Sequence, residues 1–127
     1  MKTPIGSLNR IIIYSGDAIR CATFFRDHFG LAAIGDWSSG WAELDGGGCR
    51  LAFHQAYGPD GPRTESTGSE GNPHKIVFTV SDVPAARERL ISSGVSVGEI
   101  QTFEDAGNLI AFQGADPEGH VFQICNR

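Results

Sequence analysis

Apolar and polar positions along this chain divide it into short strand-like runs and two helix-like stretches, in an order that occurs twice. Arg10 to Tyr14 is a β-branched run that predicts a strand. After Ser15 and Gly16, Asp17 is placed to cap a helix reaching about Gly30, because its carboxylate can accept from first-turn amides that have no intrahelical partner. Cys21, Phe24, Phe25, His28 and Phe29 then follow the spacing of a helix with one buried face, and Gly30 is the expected stop. Lys75 to Val80 predicts a second strand, Asp82 a second cap, and a second helix with Val83, Ala86, Leu90 and Ile91 inward ends at Gly94. Arg10 to Asp17 and Lys75 to Asp82 have the same spacing, so the two segments read as copies.

The remainder of each copy agrees. Trp41 to Asp45, a turn at Gly46 to Gly48, and Cys49 to His54 predict a hairpin. A two-residue turn at Gly46 and Gly47 would set Trp41 opposite Ala52 and Glu43 opposite Arg50 as a cross-strand ion pair; a three-residue turn would reverse the sides. Asn108 to Gln113 and His120 to Cys125 form the counterpart, joined through Asp116, Pro117, Glu118 and Gly119, which suit a type I turn. Short strands near Leu31–Ile34 and Val95–Ile100 would complete the modules. The expected architecture is α+β: two tandem βαβββ modules, residues 1–56 and 74–127, forming a curved mixed sheet around a concave cleft with the helices outside. Residues 57–73 between them are rich in Gly and Pro and read as a linker, or a flap over a site. Alternation sends Ile11, Ile13, Ile76, Phe78 and Val80 under the helices. It sends Arg10, Ile12, Tyr14, Lys75, Val77 and Thr79 to the concave face, where function is to be sought.

Asn9 to Asp17, Phe24-Phe25, Phe29 to Leu31, Lys75 to Asp82 and Asp116 to Ile124 together resemble the vicinal-oxygen-chelate superfamily of glyoxalases, bleomycin-resistance proteins and extradiol dioxygenases. The resemblance covers nearly the whole chain and implies the paired βαβββ fold; it says less about function, since the scaffold hosts both enzymes and drug-binding proteins. It also implies a divalent metal held by four concave-face positions, one on the first and one on the last strand of each half. Those positions here are Arg10, Ala52, Lys75 and Gln123. Arg offers no lone pair, Ala no donor atom, and Lys is protonated at neutral pH, so only Gln123 could ligate. The expectation is a cleft without the family's metal and without another cofactor. Shifting the second copy by one residue would bring His74 into play but would turn Ile76 and Phe78 outward.

The net charge of −5, with no long block of one sign, argues against nucleic acid or an anionic membrane as partner. Cys21, Cys49 and Cys125 form no paired motif and leave an odd count, which suits a reducing cytoplasm. The first six residues lack the apolar run of a signal peptide.

The leading functional expectation is a glyoxalase/bleomycin-resistance-like protein that binds a small organic, including anionic, molecule. Tyr14, Trp41 and Ile12 would give apolar contact and Arg10 and Lys75 would meet anionic groups, with Ala52, His54 and Gln123 on the same face. The bland readings are a solvated Arg10 and Lys75, a strand-end His54, a packing role for Tyr14, and packing or surface roles for His28 and His120. One alternative is a metal-dependent lyase or dioxygenase with displaced ligands such as His54, His74, Gln123 and Glu118; another is metal-free acid–base chemistry at His54 with Glu43. The resemblance further implies a homodimer.

Overall fold

The computed structural model describes residues 5–69 and 71–127. Residues 1–4, part of the start weighed for a signal peptide, and Glu70 within the linker lie outside the described residues. Two compact units divide between Glu65 and Ser66. The first contains β1 (Arg10–Ser15), α1 (Ala18–Phe29), β2 (Ala32–Ser38), β3 (Trp41–Asp45) and β4 (Arg50–Gln55). Part of the Gly/Pro-rich stretch adds a small hairpin of β5 (Tyr57–Gly58) and β6 (Gly61–Pro62). The second contains β7 (Ile76–Thr79), α2 (Val83–Ser92), β8 (Gln101–Phe103), β9 (Leu109–Ala115) and β10 (Val121–Cys125).

Both units are βαβββ modules with one topology. Sheet order is β1-β4-β3-β2 in the first and β7-β10-β9-β8 in the second. The first and last strands of each unit pair in parallel, and the remaining neighbours are antiparallel. The helix is the crossover that a parallel pair requires.

Local chemistry fixes the helix ends. Asp17 Oδ1 accepts from the Arg20 amide at 3.0 Å, and Asp82 Oδ1 from the Ala85 amide at 3.0 Å. The Gly30 amide donates to the Arg26 carbonyl from a left-handed conformation. In the first unit α1 buries Ala18, Cys21, Ala22 and Phe25 over β3 and β4, where Ala42, Leu44 and Phe53 are fully covered. The Phe25 and Phe53 rings stack at 5.8 Å between centroids. In the second unit Val83 and Leu90 of α2 meet a face made by Phe112, Phe122 and Ile124. Gly114 is required there, because a Cβ would stand 2.5 Å from the ring of Phe122, its cross-strand partner.

Several expectations need correction. Val95–Ile100 is not a strand: the Val95 amide closes the helix end by donating to the Leu90 carbonyl, and β8 begins at Gln101. Ile91 stays 46% and Ile11 49% exposed rather than inward. For Ile11 the reason is position, since β1 is an edge strand and α1 lies over β3 and β4. The β3–β4 turn spans four residues, 46–49, held by the Gly47 amide donating to Asp45 Oδ1 at 2.8 Å. Gly46 is needed there, as a Cβ would sit 2.4 Å from the Cys49 carbonyl oxygen. Trp41 therefore faces His54, and Glu43 faces Ala52. Two extra turn residues move each partner by two and leave every side chain on its expected face.

Among the described residues no helix is long and apolar enough to cross a membrane. Phe53→Ala is expected to lower the unfolding free energy by roughly 3–5 kcal/mol, and Ile11→Ala by less than about 1 kcal/mol, in urea titrations followed by circular dichroism.

Candidate functional site

The face of the first sheet opposite α1 is built from three rows set by strand register. Arg10, Arg50 and Asp45 form one; Ile12, Ala52 and Glu43 the next; Tyr14, His54 and Trp41 the third. Five expected site residues, Arg10, Tyr14, Trp41, Ala52 and His54, thus share one face of one unit. Ala52 has no exposed surface and is part of its floor.

Charge on this face is concentrated around Glu43. Its side chain is only 10% exposed, and Oε2 lies 3.3 Å from Arg10 Nε and 3.6 Å from Arg50 Nη1. The expected Glu43–Arg50 pair thus forms, diagonally across the register, and Arg10 joins it. Neither Glu43 Oε2 nor Arg10 Nε has a hydrogen bond of good geometry, so these contacts are ionic rather than directional. The Arg10 guanidinium also lies 5.7 Å from the Trp41 ring centroid, a cation–π distance. With Asp45 directly across from Arg50 in the first row, two guanidiniums and two carboxylates balance on this face.

His54 is ringed by aromatic edges. Its ring centroid is 5.1 Å from Tyr14, 5.8 Å from Trp41 and 6.3 Å from Tyr57, each pair near perpendicular. Nδ1 lies 2.8 Å from the Gln55 carbonyl oxygen, which can only accept. Nδ1 therefore carries a proton, and in the neutral ring Nε2 keeps its lone pair. Tyr57 is a member that the sequence reading missed. It arrives on the β5–β6 hairpin, which Gln55 pins by donating from Nε2 to the Gly16 and Arg63 carbonyls, each at 2.8 Å. The one available signal was an aromatic residue inside an otherwise Gly/Pro-rich stretch.

The remaining expected residues belong to the second unit. Lys75 is exposed one residue before β7, and half-buried Gln123 pairs with Val77 on one side and Gln113 on the other. His74 is exposed. Glu118 and His120 are buried and bound into the β9–β10 turn. Asp116 Oδ1 accepts from the Glu118 and His120 amides at 2.9 and 3.0 Å, and its Oδ2 is 2.6 Å from His120 Nδ1. His120 Nε2 lies 2.7 Å from Thr67 Oγ1, and Glu118 Oε1 accepts from the Thr67 amide at 3.1 Å. His28 packs against Phe24 on α1.

A family model described as "Glyoxalase/Bleomycin resistance protein/Dioxygenase superfamily" matches residues 7–124. Among curated proteins none matches the chain significantly. Solved structures share the fold at low identity. A lactoylglutathione lyase from Agrobacterium tumefaciens is 16% identical over 98% of this chain and 96% of its own, with a TM-score of 0.69. TnmS3, an antibiotic binding protein from Streptomyces sp. CB03234, is 17% identical over 98% of each chain, with a TM-score of 0.75. A protein of unknown function from Agrobacterium tumefaciens str. C58 is 22% identical over 99% of this chain and 97% of its own, with a TM-score of 0.72.

If the Glu43 carboxylate is held by both guanidiniums, a double-mutant cycle of Glu43→Gln with Arg10→Gln should give a coupling of roughly 0.5–1 kcal/mol in urea denaturation, since Arg10 is partly exposed. A coupling of zero would mean that the ion pair contributes nothing to the fold.

Proposed function

The chain belongs to the glyoxalase/bleomycin resistance protein/dioxygenase superfamily, and from that premise we propose that it binds a small organic molecule on the open face of its first sheet. One observation carries the reading: Tyr14, Trp41, Tyr57 and His54 present aromatic surface beside the Arg10–Glu43–Arg50 ion cluster, on the side of the sheet that α1 leaves free. Tyr14 and Tyr57 are 60% and 58% exposed, more than large rings serving only a core would be. A planar apolar ligand would gain by covering them, and the guanidinium of Arg10, next to Trp41, is the group that would meet an anionic substituent. That one structural relative is named as an antibiotic binding protein supports a binding role on this scaffold.

The donor chemistry does not fit the family's metal. Arg10 is engaged with Glu43, Ala52 is a buried methyl, Lys75 is cationic, and Gln123 alone offers a neutral oxygen. Binding without a metal at these four positions is therefore part of the proposal. The alternative of a lyase or dioxygenase with displaced ligands would need metal dependence. The three free cysteines support a cytoplasmic setting. Exposed Ile11, Ile12 and Tyr14 on the edge strand β1 support a homodimer.

Titration with 2-naphthoate is expected to quench indole fluorescence saturably, and Trp41→Ala to weaken binding about tenfold, the worth of one good aromatic contact. Dialysis against EDTA should leave the affinity unchanged. Loss of binding after EDTA, restored by a divalent ion, would instead establish the metal-dependent reading. Light scattering at micromolar concentration is expected to return twice the chain mass, and a monomer would contradict the dimer.

A further inference from the structure

The second unit repeats the register of the first with different chemistry on the equivalent face. Its rows are Val77, Gln123 and Gln113, then Thr79, Cys125 and Ala111. Where the first unit carries the rings of Tyr14, His54 and Trp41, the second carries three small side chains. Next to the smallest of them, Ala111, lies a hollow of about 110 Å³. Ala111, itself 1% exposed, lies at its floor, and Gln101 faces Ala111 from β8. Gln101, Gln113 and Gln123 line it, with Phe103 and Glu99 also in its wall.

The three carboxamides make no side-chain hydrogen bond among the described residues. Gln113 and Gln123 are nevertheless half-buried. Each amide offers donors and an acceptor without net charge. Their amide atoms remain open to the hollow rather than sealed in the core, so they are available to pair with a ligand that offers a donor and an acceptor together. Glu99, the one charged side chain in the wall, is 88% exposed and faces Arg87 Nη2 at 3.4 Å, which leaves little field inside. Phe103, at 36% exposed, supplies an apolar edge for a ring.

We propose that this hollow binds an uncharged group carrying a donor and an acceptor side by side, such as a carboxamide, lactam or cyclic imide, attached to a small ring. The subsite is lined by residues of the second unit alone. It is also observed at different nuclei, so either assignment can fail without the other.

The test uses the full chain, 15N-labelled, with the side-chain NH₂ signals of Gln101, Gln113 and Gln123 as reporters and benzamide as probe. Benzamide should shift the Gln113 and Gln123 signals saturably, whereas benzoate and benzylammonium should bind about fivefold or more weakly, because a charge gains no partner there. Gln123→Leu should weaken benzamide about tenfold while the rest of the spectrum stays native. Should that variant lose the native spectrum, Gln123→Asn, which withdraws the amide by one methylene, should weaken binding about threefold. Either ion matching benzamide, or a folded Gln123 variant binding it unchanged, would overturn the proposal.

Discussion

The parallel pairing of first strand with last strand within each unit is the constraint on which the rest depends. It places β1 beside β4 and β7 beside β10, so residues some forty positions apart in sequence lie side by side in register. A parallel neighbour can be reached only by a crossover, and the crossover helix must cover one sheet face. The opposite face is thereby freed from core duty. Arg10, Tyr14, Ala52 and His54 meet because of this pairing, and Trp41 and Glu43 join them through the adjoining hairpin.

Burial then decides what charge can do on that face. A carboxylate as enclosed as that of Glu43 would be costly alone, and Arg10 and Arg50 supply the compensating field. Arg10 is at the same time held against Trp41. A guanidinium committed twice is a weaker anion trap than its sequence position suggests. Shape and aromatic surface must then contribute more to selectivity than charge does.

Much of the fold was legible because its determinants are local. The caps at Asp17 and Asp82 and the stop at Gly30 need only nearby amides, and period-two alternation assigned the sheet faces correctly. What local pattern could not supply was anything set by distance or by crowding. The cross-strand partners of Trp41 and Glu43 depended on how many glycines the turn consumes. The exposure of Ile11 depended on which strands α1 covers. Val95 has strand-forming chemistry, yet it was recruited to close the end of α2. Tyr57 reached the site on a hairpin with no periodic signal, and the bond from Thr67 to His120 spans 53 positions.

The two units also show how one backbone register separates two chemistries. Residue for residue, Glu43 corresponds to Gln113, Ala52 to Gln123, and Arg50 to Val121, because each pair holds the same place in its sheet. Glu and Gln have nearly the same shape, so packing does not distinguish them. The neighbour does: beside Arg50 an enclosed carboxylate is stabilised, whereas the strand position of Arg50 is taken by Val121 in the second unit, which offers no such charge. With the acid replaced by an amide and the three rings by Thr79, Cys125 and Ala111, the middle of the second face is neutral and small-chained where that of the first is ionic and aromatic. The difference in what each face can recognise thus follows from a handful of side chains on an unchanged pairing of strands.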